Sequence, residues 1–143
     1  MDRMLKTLTW LAALYIAYVL LWYEQYKLTG NEGSVWLFTV LTDWLFLHGH
    51  EKAMRLTVAV AEITASVLVL LPWTRIYGAA LALAIMSGAI FFHLFSPLGI
   101  DPYHDGAQLF TRACLTWLCA GFILLAYRAE VGRVIRERKV FLL

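Results

Sequence analysis

Apolar residues in this chain fall into four blocks separated by short polar stretches, at about residues 8–24, 53–71, 76–95 and 109–127. Crossing a bilayer as a helix takes roughly 20 apolar residues at about 1.5 Å rise each. The four blocks match that length, and the pattern predicts an all-α membrane four-helix bundle. Stop signals agree with the boundaries. Trp22, Tyr23, Glu24, Gln25, Tyr26 and Lys27 close the first block, Pro72 the second, and Ser96–Pro97 the third. Arg3 and Lys6 before the first block also fit the charged start of a secretory signal peptide. No A-x-A-like cleavage site follows, however, and the aromatic, charged end reads as an interfacial anchor, so a retained span is expected.

Between the first two spans, Trp36, Leu37, Val40, Leu41, Trp44 and Leu45 recur at helical spacing, with Thr39, Thr42 and Asp43 on the other side. Residues 34–47 would reach only about 20 Å as a helix, too short to cross. They predict an additional short amphipathic interfacial helix, capped by Ser34 and packed on the bundle. Small residues at Ala80, Ala84 and Gly88, and at Ala61 and Ala65, predict stripes along which helices approach closely in lipid.

Composition sharpens this picture. Of 143 residues, 62% are hydrophobic and 15% charged, against about 45–50% and about 25% in soluble domains. One integral membrane domain is expected, with the bilayer as its first partner. The formal net charge of +2 gives no reason to expect a nucleic acid. Its distribution says more: Arg3, Lys6, Arg75 and a basic tail at 128–143 (Arg128, Arg133, Arg136, Arg138, Lys139) fall on one side if the spans alternate. The positive-inside bias makes that side cytoplasmic, so the topology expected is N-in and C-in. Cys114 and Cys119 are five apart on one span, a spacing that points them in different directions and argues against a disulfide between them.

Glu62 is the residue most suggestive of chemistry. It lies eleven positions past Glu51, about 16 Å along a helix and close to mid-membrane. A charge there costs about 3 kcal/mol on insertion scales, so Glu62 should face the bundle and find a partner. It could be a ligand-orienting carboxylate, a proton relay or a structural hydrogen-bond hub. Arg55 is seven residues earlier on the same helix face, Lys27 closes the first span, Arg112 enters the fourth, and His93 ends the third. Together they predict one polar pocket in the outer half of the bundle, with Tyr23, Tyr26 and Phe92 as apolar wall. For Lys27 and Arg55 the competing expectation is snorkelling to the interface. His48 and His50, in the segment His48–Gly49–His50–Glu51, and His104 are candidate metal or haem ligands beside His93, although their spacing matches no strong motif. Phosphate-loop, G-x-S-x-G, H-E-x-x-H and dinucleotide signatures are absent from the sequence.

The run Tyr23–Gly30, the second-span run Ala61–Pro72, and the third-span run Ala79–His93 together resemble the DoxX family of small bacterial four-helix membrane proteins. Lys27, Glu62 and the small residues from Ala80 to Gly88 fall where that family carries a lysine, a glutamate and a small-residue stretch. The resemblance covers roughly residues 8–127. It implies a bacterial inner-membrane protein associated with membrane redox or sulfur metabolism; the polar pocket, in a bundle with too few catalytic groups, adds the expectation of an accessory subunit or a binder of a lipophilic, quinone-like ligand. It would work in a redox membrane complex or a homo-oligomer. The alternatives are a metal- or haem-binding redox protein, and a small transporter with Glu62 as its mid-membrane relay. No self-contained catalytic motif is present, so an enzymatic activity is left open.

Overall fold

The computed structural model describes residues 1–141; the side chains of 139–141, Lys139 among them, and residues 142–143 of the tail lie outside that description. Six helices follow one another: α1 (Arg3–Thr29), α2 (Glu32–Trp44), α3 (Glu51–Leu70), α4 (Arg75–Phe95), α5 (Gln108–Ala126) and α6 (Arg128–Phe141). The described residues contain no strand. Helices α1, α3, α4 and α5 are long and apolar enough to cross a membrane. They close into a ring in which α1 and α4 each pack between α3 and α5, while α2 lies on α3 and touches α1.

Local chemistry sets the helix ends. The Asp2 carboxylate accepts the Leu5 N–H at 2.7 Å and caps α1. At the other end Gly30 adopts φ 67°, left-handed backbone that a side chain would strain, and the Asn31 N–H turns back to the Tyr26 carbonyl at 3.1 Å. The aromatic and charged residues from Trp22 to Lys27 therefore continue α1 instead of ending it. That extension places Glu24 and Lys27 one turn apart on a single helix.

Two amphipathic assignments are rotated relative to the sequence pattern. In α2 the buried residues are Ser34, Leu37, Phe38, Leu41 and Thr42, whereas Trp36 is exposed. Thr42, assigned to the polar side, can be buried because its hydroxyl donates to the Phe38 carbonyl at 2.8 Å. In α4 the packed stripe is Gly78, Ala79, Ala82 and Met86, while Ala80 and Ala84 are exposed. Helix approach thus uses the neighbouring stripe.

At Gly78 the approach is tight enough to demand glycine. A Cβ there would sit 2.3 Å from the Val69 backbone nitrogen and 2.7 Å from the Leu68 carbonyl carbon, and backbone cannot yield as a flexible side chain can. Gly78→Ala is expected to lower stability by about 1–3 kcal/mol, read as thermal unfolding in detergent. Gly88→Ala, where a Cβ meets nothing within 4 Å, is the control. Equal melting of the two variants would refute the close α3–α4 approach.

Beyond α5 the chain, expected only as a basic tail, forms α6. Among the described residues it packs chiefly against α5, with Arg128, Arg133, Arg136 and Arg138 exposed.

Candidate functional site

A cavity of about 780 Å³ opens at the end of the bundle where α1 finishes and α3 begins. Helices α1 to α5 and the α4–α5 loop all contribute to its wall. Its volume comes from small side chains. Ala61, Ala84, Gly88 and Ala89 line it, so the Ala84–Gly88 part of the repeat on α4 creates space where contact was expected. Most of the remaining lining is apolar, including Leu20, Phe38, Met54, Ile85 and Phe92.

An ion cluster is set into this wall. Lys27 Nζ pairs with Glu62 Oε2 and lies 3.3 Å from Glu24 Oε1. Glu62 is 5% exposed and Glu24 4%. Glu24 was not anticipated from the sequence, where it sat among the belt residues that mimic a helix end. Its i, i+3 spacing to Lys27 was the one available signal. The second oxygen of Glu24 is buried without a hydrogen-bond partner. Two carboxylates thus share one ammonium.

Arg55 stands behind the cavity and does not line it. Its Nε donates to Glu51 Oε1 at 2.5 Å, and Nη1 donates to the Lys27 backbone carbonyl. It thereby satisfies one of the last carbonyls of α1 and ties that helix end to α3. Neither Lys27 nor Arg55 snorkels away: their side chains are 13% and 7% exposed.

Arg112, from the first turns of α5, lines the cavity with its guanidinium 5.8 Å from the centre of the Tyr23 ring. Among the described residues it forms no salt bridge; Lys27 alone reaches Glu62. His93 is 3% exposed and also lines the cavity; its Nδ1 lies 2.7 Å from the Gly99 carbonyl oxygen, and its ring packs edge-on to Phe110. Tyr23 and Tyr26 complete the set of anticipated residues on this wall.

The mouth is bordered by a contact between distant segments. The Tyr103 hydroxyl donates to the Gly33 carbonyl at 2.9 Å, and its ring lies tilted against Trp36, the ring centres 6.0 Å apart. Burial, with Asp105 and Tyr23 adding to it, pushes the Tyr103 hydroxyl up to about 12, so it remains a donor at neutral pH. The loop beneath is held by Asp101. Its carboxylate accepts the Asp105 N–H at 3.0 Å, and the backbone N–H groups of Ala107, then of Asp105 and Gly106, hold it below the usual carboxylate range.

The remaining histidines do not join this site. His48 bonds to Asp43 Oδ1 at 2.8 Å, and His48, His50 and His104 are exposed. Among the described residues no three His, Cys, Asp or Glu side chains converge as a metal-holding group. Cys114 and Cys119 are free thiols.

No family model matches the chain, and neither does any curated protein or solved structure. The geometry alone describes a largely apolar chamber with a buried ion cluster, a guanidinium beside Tyr23 and an imidazole at its wall, a combination suited to holding a lipophilic molecule by its polar head.

Proposed function

We propose that the chain is a DoxX-like protein of the bacterial inner membrane, N-in and C-in, that binds a lipophilic, quinone-like molecule. In this reading it serves as an accessory subunit of a membrane redox or sulfur-metabolism system, in a complex with other subunits or with copies of itself. The observation that carries it is the cavity of about 780 Å³ with Lys27–Glu62 in its wall. Such chambers bind small molecules through apolar area and orient them through a few polar groups. The positions that carry the family resemblance support it too: Lys27, Glu62, Ala84 and Gly88 meet in that one cavity.

The test is a titration of the purified protein with short-chain quinones, followed by quenching of tryptophan fluorescence, since Trp22 lies in the wall. The wild-type protein should show saturable binding. Gly88→Phe places a ring in open space, so it should weaken binding about tenfold or more, a change of about 1.4 kcal/mol, at an unchanged melting temperature. Absence of saturable binding, or equal binding by the variant, would overturn the proposal.

A further inference from the structure

We infer that Glu24 and Glu62 bind one exchangeable proton between them, held on Glu24 Oε2 and passed to the cavity through Glu62. This proton site belongs to the ion cluster itself and stands whether or not the chamber takes a lipophilic molecule.

Charge and hydrogen bonding both call for that proton. With two carboxylates and one ammonium, the cluster carries an uncompensated negative charge on side chains at most 5% exposed. A charge buried without a partner is costly, and neutralisation removes the cost. Glu24 Oε1 has Lys27 at 3.3 Å, yet Oε2 is buried with no hydrogen-bond partner. The Glu24 carboxyl lies within hydrogen-bonding reach of the Glu62 carboxyl. Two ionised carboxylates offer each other only acceptors and repel, whereas one proton turns them into an acid–carboxylate hydrogen bond. That proton satisfies the orphan oxygen and brings the cluster to zero charge. Lys27 decides which residue carries it. The ammonium is nearer Glu62 than Glu24, so Glu62 is the carboxylate and Glu24 the acid.

No neighbouring cation takes the proton's place. Arg55 on α3 directs Nε to Glu51 and Nη1 to the Lys27 carbonyl. Arg112 on α5 stands 5.8 Å from the centre of the Tyr23 ring and, among the described residues, forms no salt bridge. His93 on α4 bonds to the Gly99 carbonyl through Nδ1. From α2 the wall receives only uncharged residues, Ser34 and Leu37 among them.

Position gives the proton a route. Glu62 and Lys27 line the cavity, and Glu24 stands behind them. The proton moves from Glu24 Oε2 to the Glu62 carboxylate, leaving Glu24 as the carboxylate, and then from Glu62 to water in the chamber. Its departure restores the buried negative charge, which draws a proton back by the same path. Ionisable groups inside membrane helices commonly serve such relays.

Infrared spectra of the purified protein in detergent at neutral pH, in water and in heavy water, test the site. Exposed carboxyls are ionised there, so a carboxylic-acid carbonyl band reports a buried acid. Wild type should show this band, and heavy water should shift it. Glu24→Gln should lose the band and melt as wild type does, because the amide accepts from Lys27 and donates to Glu62 as the acid would. Glu62→Gln should also lose the band, since Lys27 then holds Glu24 as its carboxylate, but it should melt several degrees lower. Should Glu24→Gln fail to fold, the wild-type band, its shift in heavy water and its loss in Glu62→Gln decide. A wild-type spectrum without the band overturns the bound proton, and a band unmoved by heavy water overturns its exchange. A band kept by Glu24→Gln, or a folded Glu24→Gln melting below Glu62→Gln, overturns the assignment to Glu24. Melting is repeated in sodium chloride and in choline chloride. A stabilisation by sodium that Glu24→Gln abolishes would put a metal cation where the proton is placed, and would overturn it too.

Discussion

Replacing Lys27 by methionine is expected to cost about 3–5 kcal/mol of stability, the scale for stranding a buried charge. Methionine keeps most of the lysine volume and removes only the ammonium that Glu24 and Glu62 share. Both carboxylates are at most 5% exposed, so water cannot take over the cation's role. The loss would fall on the contact between α1 and α3, the pair that also meets through Arg55 and the Lys27 carbonyl. Adding Glu62→Met to Lys27→Met should recover part of the loss, because replacing a buried pair by apolar groups is often nearly neutral. Thermal unfolding of the single variants and the double variant in detergent gives the coupling between the two residues. Additive losses, or a Lys27→Met protein that melts like wild type, would mean that the pair does not hold these helices.

How far the sequence foretold this arrangement depends on how many physical solutions each pattern permits. Lipid leaves little choice for a long apolar block, since every backbone group must be satisfied within the segment. Hence α3, α4 and α5 begin and end within a few residues of their apolar blocks. Glu62 was equally constrained: a carboxylate in mid-span has to turn inward and find a cation, and Lys27 was within reach. Glu24 was harder to see. Glutamate beside Trp22 and Tyr23 has the composition of an interfacial belt, and only the continuation of α1 to Thr29 brings it under Lys27. The stripes on α2 and α4 were misassigned by one helix face for a related reason. Apolar side chains suit lipid and protein alike, so periodicity alone does not say which face meets a neighbour. On α4 the deciding feature is a backbone approach at Gly78, whose partner Val69 lies on another helix. The helical state of the tail was hidden because its dense charge outweighs the few apolar positions, Val131 and Val134 among them.

At the opposite end of the bundle from the cavity, Arg75→Ala is expected to destabilise the protein by about 3 kcal/mol or more. Arg75 is 1% exposed and the largest of the fully buried side chains. Among the described residues it forms no salt bridge; its Nε donates to the Val69 carbonyl at 2.9 Å and its Nη2 to the Leu70 carbonyl at 3.4 Å. With Thr74, whose hydroxyl donates to the Leu68 carbonyl at 2.8 Å, it satisfies the last carbonyls of α3. The cation suits that site because a helix C-terminus carries partial negative charge. Its guanidinium also lies 3.9 Å from the centre of the Trp10 ring, which fastens α1 to the α3–α4 turn. Alanine would leave Val69 and Leu70 without these donors, empty the space against Trp10, and remove a desolvated cation–π contact of about 2 kcal/mol. Lysine keeps the charge but lacks the planar fork, so Arg75→Lys should fall between alanine and wild type. Thermal unfolding in detergent supplies the ranking. Quinone titration below the melting point separates the two ends: if Arg75 serves only the α3–α4 turn, folded Arg75→Lys binds as wild type does. A protein in which Arg75→Ala melts within a degree of wild type would show that the α3 terminus needs no such cap.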